Sequence, residues 1–457
     1  MSAIAPSKDP TAIAPADGPS LKEMARRDGV DFIMATFTTM TGRPCSKLVP
    51  IRAADDLEAG KMGFAGFAAG AMGLDPDDGD LVVVPDRASY TPLHFIQRGL
   101  SMVHCDTFRL GIPHPFSPRQ ILREQLRQAA ELGLKLNVGA ELEYFLVTRD
   151  ESGNIRVADQ TDTANQPCYD ARGLIRQFDH LADVSRAMDS LGWEPYASDH
   201  EDANGQFEQN FAFADALVTA DRVITARYII RMLAEKRGMT ATFMPKPFAD
   251  RTGSGLHMHM SLWGATGPVF PASPGTEDPS GFNLSPTARS YVAGLLDNAD
   301  ALMAILNPTV NSYKRTGADT TASGSTWAPR YATYGGDDRS VMVRIPDDQR
   351  AEIRVADGAA SPHLAMAACL GAGLDGIRRG ADPGAPGSQN HAGRPPLART
   401  LLDAVEALEA NTVVRGALDA LDSAQRVSTY YSTLKRNEFY DWHGAISAWE
   451  LDRYLTA

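Results

Sequence analysis

Residues 246–263 have the sequence KPFADRTGSGLHMHMSLW, which runs from a Gly-Ser-Gly turn into a segment of alternating apolar and polar side chains. Side chains on a β-strand point to opposite faces with a period of about two residues. One face of the predicted strand therefore carries Leu256, Met258, Met260 and Leu262. The other face carries His257, His259 and Ser261. We expect the apolar face to enter a core, and the polar face to offer a cleft two imidazoles and a hydroxyl, groups that bind metals and phosphates.

The pair of histidines alone leaves two interpretations open. His257 and His259 could be ligands of a metal or a phosphate, or they could be polar neighbours on a sheet surface. Other segments of the chain therefore have to decide between a site and a solvated surface.

Residues 134–146 form the clearest predicted strand, with an apolar row on one face and Glu141 and Glu143 on the other. Two carboxylates on one strand face repel each other unless solvent or a cation compensates their charge. A solvated sheet face is the alternative, although Gly139 and Phe145 on the same face are not typical of a freely solvated surface.

A second acidic segment, residues 199–208, contains a predicted turn at Asn204-Gly205. Such a turn can return the chain so that Glu201 and Glu208 meet. The spacing of the acidic residues excludes an EF-hand, and an acidic hairpin loop is the remaining alternative. Two or more divalent cations, Mg²⁺ or Mn²⁺, would bring the carboxylates of both segments together, because these ions prefer oxygen ligands with an occasional imidazole.

Basic residues form the third element of a predicted site. Residues 307–315 end in a pair of cations, and further arginines follow at Arg339, Arg344, Arg350 and Arg354. Arg350, Glu352 and Arg354 alternate on one predicted strand face. A guanidinium binds phosphate or carboxylate through two parallel hydrogen bonds, whereas an arginine–glutamate ladder on an exposed sheet is the alternative. The sequence has no P-loop motif, so any nucleotide is held in another way.

The composition narrows the class of protein. The 457 residues include 44 Lys and Arg and 57 Asp and Glu, which gives a formal net charge of −13. This balance argues against a surface for nucleic acid or for an anionic membrane. The four cysteines form no C-x-x-C pair, so neither a zinc ribbon nor a disulfide framework is indicated. We see no signal peptide and no apolar run that could span a bilayer, and we expect a cytoplasmic protein.

The chain is predicted to have two domains after a flexible segment. Residues 1–20 are rich in Ala, Pro, Ser and Asp and are predicted to be flexible. A small β-rich domain is expected over 21–114 and a larger domain over 115–457, because Ser117 and Pro118 are typical of the start of a helix. Helices are predicted over 21–28, 118–132, 174–191, 216–237, 401–421 and 445–455.

Seven motifs in chain order together resemble the glutamine synthetase family over nearly the whole chain. They are Glu141-Leu-Glu143, Gly205-Gln-Phe-Glu208, Gly253-Ser-Gly-Leu-His257-Met-His259, Asn307-Pro-Thr-Val-Asn-Ser-Tyr-Lys-Arg315, Arg339-Ser, Arg344-Ile-Pro and Arg350-Ala-Glu352-Ile-Arg354. The resemblance implies an α+β fold, with an N-terminal β-grasp domain and a C-terminal catalytic domain whose curved antiparallel sheet is flanked by helices. It also implies homo-oligomeric stacked rings with active sites between subunits.

The resemblance implies a role for each site residue. One metal would be held by Glu143, Glu201 and Glu208, and another by Glu141, His257 and Glu352, with two or three Mg²⁺ or Mn²⁺ ions per site. The ATP phosphates would be contacted by His259, Ser261, Arg344 and Arg350. The substrate L-glutamate would be held by Gly253, Arg315 and Arg354. Arg339 would stabilise the charge that develops during transfer, acting with Arg315 and Glu208 as the catalytic group.

These implied roles describe an ATP-dependent carboxylate–amine ligase. The side-chain carboxylate of glutamate attacks the γ-phosphate of ATP to give γ-glutamyl phosphate, and an amine then displaces the phosphate. An inactive ring with a structural role is a second hypothesis, but all six implied metal-ligand positions are filled here. A guanidino-kinase architecture is a third, and it would lack these ordered motifs.

The chain departs from the family at the amine site. Ala65, within Phe64-Ala65-Gly66, occupies the position of a family aspartate that binds ammonium, and Trp327 occupies that of a glutamate on a closing flap. Thr252 replaces an asparagine before the Gly-Ser-Gly. Loss of two anions and gain of an indole disfavour ammonium, which is strongly hydrated, and favour a small alkylamine. We therefore predict methylamine as the acceptor, as in the γ-glutamylmethylamide synthetase branch; the alternatives are ammonia, another alkylamine and a polyamine.

Overall fold

The computed structural model describes residues 18–318, 321–387, 396–421 and 423–457. Most of the predicted flexible segment, residues 1–17, lies outside this range. Ser20, which that prediction included, is instead the N-cap of the first helix. Its hydroxyl accepts a hydrogen bond from the N–H of Glu23, and the Glu23 carboxylate accepts one from the N–H of Ser20.

The first sheet comes from the N-terminal quarter of the chain. Its strands are β1 (Phe32–Thr38), β2 (Pro44–Pro50), β3 (Met62–Phe64), β4 (Leu81–Pro85), β5 (Thr91–Pro92), β6 (Leu100–Arg109) and β7 (Ile112–Pro113). The strand order is β2-β1-β6-β4-β3, with β5 and β7 also paired to β6. The pair β1–β6 is parallel and the others are antiparallel.

The second sheet is larger and is built around two long strands. Its strands are β8 (Lys135–Arg149), β9 (Ile155–Val157), β10 (Pro195–His200), β11 (Gln206–Phe211), β12 (Ala214–Asp215), β13 (Thr240–Thr242), β14 (Leu256–Gly264), β15 (Gly267–Pro268), β16 (Tyr334–Gly335), β17 (Val343–Asp347) and β18 (Arg350–Ile353). The order is β10-β11-β8-β14-β18-β17-β16, with β9, β12 and β13 also paired to β8 and β15 to β14. Apart from the parallel pair β16–β17, these pairs are antiparallel.

Helices flank both sheets. They are α1 (Leu21–Arg27), α2 (Ala54–Glu58), α3 (Gly66–Ala69), α4 (Pro118–Glu131), α5 (Ala171–Arg176), α6 (Phe178–Ser190), α7 (Ala216–Glu235), α8 (Pro286–Asp297), α9 (Ala299–Leu306), α10 (Ser312–Thr316), α11 (Pro362–Arg379), α12 (Leu401–Ala410), α13 (Thr412–Leu418), α14 (Val427–Gly444) and α15 (Ala448–Tyr454). Across the described ranges, none of these helices is both long and apolar enough to cross a membrane.

The predicted alternation in β14 and β8 is confirmed. The apolar row of β14, from Leu256 to Leu262, is at most 1% exposed, and the apolar row of β8 is buried with it. Helices α7 and α11 pack in the same core. Helix α11 is apolar around nearly its whole circumference until Arg378, which explains its burial on every side.

A buried ion cluster joins the first sheet to helices α4, α7 and α11. Arg119 on α4 donates to Asp86 at 2.6 Å and to Asp106 at 2.8 Å, both from the first sheet and its flanking loop. It also donates to Asp221 on α7 at 2.9 Å, and His363 on α11 lies 2.9 Å from the same carboxylate. Arg119 is only 3% exposed, so these acids replace the water that its charge would otherwise need.

The larger core also extends into the N-terminal part of the chain. Met40, Leu93, Ile96 and Met102 are buried in the same cluster as the residues of β8 and β14. A smaller core lies within the first sheet itself. The division into 21–114 and 115–457 stays a prediction, and packing is continuous across it.

Several helix bounds differ from the predicted ones. The segment 174–191 belongs to two helices, α5 and α6, which meet at Gln177. The segment 401–421 divides at Asn411, whose side chain accepts from the N–H of Val414 and so begins α13. The Ser117 side chain makes no capping hydrogen bond at the start of α4. Helices α8, α9, α11 and α14 were not predicted, and the helix expected over 445–455 is the shorter α15.

Candidate active site

The polar faces of four adjacent strands meet at one place in the second sheet. In the register of β8 and β14, His257 lies opposite Glu141, and in that of β8 and β11, Glu143 lies opposite Glu208. Strand β18 lies on the other side of β14 and adds Glu352. Side chains that are directly opposite on neighbouring strands are close enough to interact, so four separate sequence motifs become one cluster.

A cavity of about 530 Å³ opens beside this cluster. The predicted site residues that line it are Glu141, Glu143, Glu201, Glu208, Gly253, His257, Arg315, Trp327, Arg339 and Arg354. The other predicted residues lie outside its wall, namely Ala65, His259, Ser261, Arg344, Arg350 and Glu352. Of these, Glu352 and His259 remain in contact with lining residues.

The histidine cluster, our name for Glu141, His257, His259 and Glu352, pairs its two carboxylates with imidazoles and guanidinium groups. Glu141 lies 3.1 Å from Nδ1 of His257 and 2.8 Å from Nε2 of His259. Burial alone would raise the pKa of Glu141, but the two imidazoles outweigh burial and hold that pKa well below its usual range. Burial likewise opposes ionisation of Glu352, yet His257 and Arg354 keep its pKa below the ordinary value.

The carboxylate cluster, our name for Glu143, Glu201 and Glu208, is crowded by like charges. Burial raises the pKa of Glu201 to about 8, and the charges of Glu143 and Asp199 add to this shift. Burial, together with the charges of Glu141 and Glu201, raises the pKa of Glu208 well above its usual value. A bound cation would allow these carboxylates to be ionised together at neutral pH.

The donor atoms of both clusters fit divalent cations. Ligand atoms of Glu141, His257 and Glu352 lie within 4.8 Å of one another, and so do those of Glu143, Glu208 and His257. Carboxylates with one imidazole suit Mg²⁺ or Mn²⁺. His257 belongs to both groups although the resemblance implied only one, and Glu201 lies outside both.

Asp162 holds the turn between β10 and β11, and the sequence analysis missed it. Its carboxylate accepts from the N–H of Gly205 at 2.6 Å and lies 2.8 Å from Nε2 of His200. Gly205 has φ +73°, and a Cβ there would lie 1.8 Å from Val157, so the turn requires glycine. Asp162 is 43 residues from Gly205 in sequence, and no local motif marks it.

The predicted arginines lie in different environments. Arg344 donates to Oε2 of Glu352 at 3.0 Å, and Arg354 donates to Oε1 of the same carboxylate. Arg315 is buried, donates to the carbonyl of Val355 at 3.0 Å and has a pKa that burial lowers. These contacts fix three guanidinium groups beside the sheet before any substrate binds.

The remaining predicted arginines and the phosphate-contact residues lie nearer the rim. Arg339 lines the cavity, whereas the side chain of Arg350 is 44% exposed and pairs with Asp347. The hydroxyl of Ser261 accepts from the indole of Trp263 at 3.1 Å. Nδ1 of His259 is buried without a hydrogen-bond partner among the described residues, which is compatible with a ligand contact.

Gly253 lets the backbone approach the cavity closely. A Cβ at this position would lie 2.3 Å from the carbonyl oxygen of Pro245 and 2.8 Å from the side chain of Arg315. Any side chain at residue 253 would therefore displace Arg315, so steric contacts require glycine at the first position of the Gly-Ser-Gly segment.

The two amine-site candidates are far apart within this chain. Trp327 lines the cavity, is 43% exposed and donates from Nε1 to Asp202 at 2.7 Å. Ala65 is exposed at the start of α3 and does not reach the cavity of its own chain. The sequence analysis also missed Asp202 and Tyr169, which line the cavity near Trp327.

Comparison with known proteins identifies the architecture. The family description "Glutamine synthetase, catalytic domain" matches residues 115–454. The chain belongs to the glutamine synthetase family. The predicted α+β fold with a curved catalytic sheet and the predicted enzyme class, an ATP-dependent carbon–nitrogen ligase, are thereby confirmed.

Relatives named for different reactions are similarly distant in sequence. The glutamine synthetase of Rhizobium meliloti (strain 1021) is 38% identical over 437 residues, which cover 94% of this chain and 98% of the relative. The "Glutamate--methylamine ligase" of Methyloversatilis universalis is 37% identical over 445 residues, covering 95% and 98%. A solved structure named "GmaS/ADP complex-Conformation 1" superimposes with a TM-score of 0.88 at 42% identity, covering 96% of this chain and 100% of that one.

Proposed function

We propose that this ligase joins methylamine to the γ-carboxylate of L-glutamate, forming γ-glutamylmethylamide, ADP and phosphate. The observation that carries the proposal is the half-exposed indole of Trp327 in the same cavity as both clusters. The methylamine ligase and the GmaS structure among its relatives support the same acceptor. Since glutamine synthetases are equally similar in sequence, the residues of the amine site have to distinguish the two.

The reaction needs a carboxylate to become a good acyl donor. An oxygen of the γ-carboxylate attacks the γ-phosphorus of ATP, the bond to the ADP oxygen breaks, and γ-glutamyl phosphate forms. The amine, after losing a proton to a carboxylate of the cavity, attacks the acyl carbon and displaces phosphate. Both steps concentrate negative charge on phosphoryl oxygens, which is what the arginines of the site would stabilise.

Each part of the cavity has a proposed task. Arg344, Arg350 and His259 would contact the ATP phosphates, with Ser261 beside them. Arg315, Arg354 and the backbone at Gly253 would hold glutamate, and Arg339 would stabilise the transferring group. The two clusters would hold two or three Mg²⁺ or Mn²⁺ ions, which supply charge neutralisation for the phosphates when bound.

The choice of amine follows from desolvation. Ammonium loses several hydrogen bonds to water on entering a cavity and needs anions or dipoles in return. Methylammonium carries an apolar methyl group and can lie against the face of an indole, a contact worth about 0.5–2 kcal/mol. Trp327, with Tyr169 on the same cavity, provides such a surface.

Ammonia is the second candidate acceptor, and one observation favours it. Asp202 and Asp199 also line the cavity, and Asp202 contacts Trp327 directly. These carboxylates could replace the two acids that the family has at the amine site.

Phosphate release from ATP with glutamate distinguishes the candidates. We expect methylamine to give a higher kcat/KM than ethylamine, a diamine or ammonium. If kcat/KM is higher with ammonium, the acceptor is ammonia and not methylamine. If no amine stimulates phosphate release, the result contradicts the ligase activity. Glu352→Ala should abolish turnover while circular dichroism remains unchanged.

We further propose that the chain forms stacked rings in which a neighbouring subunit completes each site. Ala65 lies away from the cavity of its own chain and is exposed, as a residue contributed to another subunit would be. Exposed aromatic side chains near the C-terminus also favour association: Tyr440, Trp442, Trp449 and Tyr454. Light scattering after size-exclusion chromatography should give the mass of a large oligomer, whereas a monomeric mass would contradict this assembly.

A further inference from the structure

One carboxylate oxygen joins the turn that carries it to two other segments beside the cavity. Oδ2 of Asp202 accepts from the indole Nε1 of Trp327 at 2.7 Å, from the hydroxyl of Thr252 at 2.9 Å and from the hydroxyl of Ser323. Asp202 follows Glu201 in the turn between β10 and β11, so these contacts connect the metal-binding sheet to the loop that carries the indole.

The backbone of Trp327 is in a conformation that needs such support. Its φ is +53°, in the left-handed region that a residue with a Cβ adopts only at a cost. The side chain is 43% exposed, so burial in a core does not hold it. Within the described part of the loop, its anchors are Asp202 and the Ser325 hydroxyl, which accepts from the Trp327 N–H at 3.3 Å.

The same oxygen connects the indole to the glutamate side of the cavity. Thr252 immediately precedes Gly253, whose backbone would contact the substrate glutamate. The spacing of 125 residues between Asp202 and Trp327, and of 50 between Asp202 and Thr252, shows that the contact is tertiary. One side chain therefore fixes the distance between the wall proposed for the amine and the wall proposed for glutamate.

We propose that Asp202 is a positioning residue that fixes the indole of Trp327 at the amine site and thereby sets the preference for an alkylamine over ammonium. The inference rests on the proposed function. A hydrogen-bonded indole presents a fixed apolar face to the methyl group, whereas a freed indole rotates away and leaves a wetter cavity. The wetter cavity restores solvation to ammonium and removes the contact that favours methylamine.

The kinetic test compares the ratio of kcat/KM for methylamine to that for ammonium among variants of the full-length enzyme. Asp202→Ala and Trp327→Phe should each lower the ratio about fivefold, since each removes the same hydrogen bond. The double variant should lower it no further, which is the signature of residues that act as one unit. Asp250→Ala is the matched control, because that carboxylate is 73% exposed and Asp250 contacts the loop through its backbone carbonyl, which the substitution keeps. Its ratio should be unchanged.

Proportional losses with both amines in Asp202→Ala, leaving the ratio unchanged, would overturn the proposal and assign Asp202 a purely structural role. Additive losses in the double variant would also overturn it. KM for glutamate provides a second readout, because the Thr252 contact predicts that it rises in Asp202→Ala and stays normal in Trp327→Phe.

Hydrogen–deuterium exchange tests whether Asp202 positions the loop independently of which amine is the acceptor. Peptides covering 321–329 should exchange faster in Asp202→Ala than in the parent enzyme or in Asp250→Ala, whichever amine is preferred. If the parent enzyme prefers ammonium but the exchange result holds, methylamine is wrong and Asp202 still positions the loop. Unchanged exchange in Asp202→Ala would overturn the positioning role itself.

Discussion

His257 of the histidine cluster lies 3.7 Å from Glu143 of the carboxylate cluster, but the two clusters accommodate buried charge in opposite ways. In the histidine cluster, imidazoles and Arg354 lower the pKa of Glu141 and Glu352. In the carboxylate cluster, burial and repulsion raise the pKa of Glu201 and Glu208. The carboxylates of the first cluster are therefore held as anions by the protein, whereas those of the second would be ionised together at neutral pH if a cation bound.

One sheet face can therefore hold cation sites of unequal strength. A cation that enters the carboxylate cluster must displace protons, so its binding depends on pH. A cation that enters the histidine cluster would instead compete with the imidazole contacts of Glu141. We expect the two sites to differ in affinity, and the following predictions test that contrast.

The largest expected effect is loss of activity in Glu208→Gln. The substitution removes an ionised ligand from the carboxylate cluster, and we expect kcat/KM to fall by more than about 100-fold. Without divalent cations the same substitution should raise the apparent Tm, because burial and the neighbouring carboxylates disfavour ionisation of Glu208 in the folded protein, whereas glutamine does not ionise. Glu141→Gln should instead lower the Tm under those conditions, since it leaves two imidazoles without their carboxylate. If both substitutions raised the Tm, or both lowered it, the contrast between the two clusters would be contradicted.

Cation binding should stabilise the parent protein by several degrees. A ligand present at 100 times its Kd stabilises the folded state by about 2.7 kcal/mol. Titration with MgCl₂ after treatment with EDTA, followed by differential scanning fluorimetry, should therefore raise the Tm. Glu208→Gln should lose much of this rise. A parent protein whose Tm is insensitive to both Mg²⁺ and Mn²⁺ would count against cation binding at this face.

The stability of the cation-free protein should depend on pH through the carboxylates of both clusters. The folded state keeps a proton on Glu201 up to about pH 8, whereas the unfolded chain loses it near 4.5. The stabilising contribution of Glu201 is thus fully present below pH 4.5 and is lost as the pH rises towards 8. Glu141 and Glu352 have the opposite shift, so their contribution is present above 4.5 and is lost in acid.

Thermal unfolding measured from pH 4 to 9 after EDTA treatment checks this dependence. The Tm of the parent protein should decline on the alkaline side of pH 4.5, and Glu201→Gln should decline less. Saturating Mg²⁺ should also reduce the decline. A parent curve that is flat over this range would show that the carboxylates of the carboxylate cluster do not repel one another in the folded protein.

The smallest expected effect is that of Arg344→Lys. The guanidinium donates to Glu352 at 3.0 Å and to Asp337 at 2.9 Å, and an ammonium cannot reproduce this forked geometry. We expect KM for ATP to rise about threefold to tenfold with folding intact. KM for glutamate should stay within error, and a change confined to glutamate would remove Arg344 from the phosphate side of the site.

The parts of the site that the sequence predicted are those with a local pattern. Alternation placed His257 and Glu141 on polar strand faces, and the Asn204-Gly205 turn predicted the hairpin that carries Glu201. Strand pairing then joined these segments with little freedom, because register follows from which face is apolar. The proposed roles of the residues came from the family resemblance, because periodicity indicates only the strand face on which a side chain lies.

The parts that the sequence did not predict depend on contacts between distant segments. Asp162 and Asp202 have no distinguishing local pattern, yet each anchors a turn or loop through hydrogen bonds across 40 or more residues. The division of the segment 401–421 at Asn411 was missed for another reason: an asparagine that caps one helix was read as an interior residue of a longer one.

The ion cluster around Arg119 affects how the chain can be divided into fragments. The family description begins at residue 115, yet Arg119 binds Asp86 and Asp106 on one side of that point and Asp221 on the other. A fragment that starts at 115 would bury a guanidinium with two of its three acids missing. The boundary at residue 115 therefore marks where the family description begins, while the buried ion pairs span both sides of it and predict that the two sides unfold together.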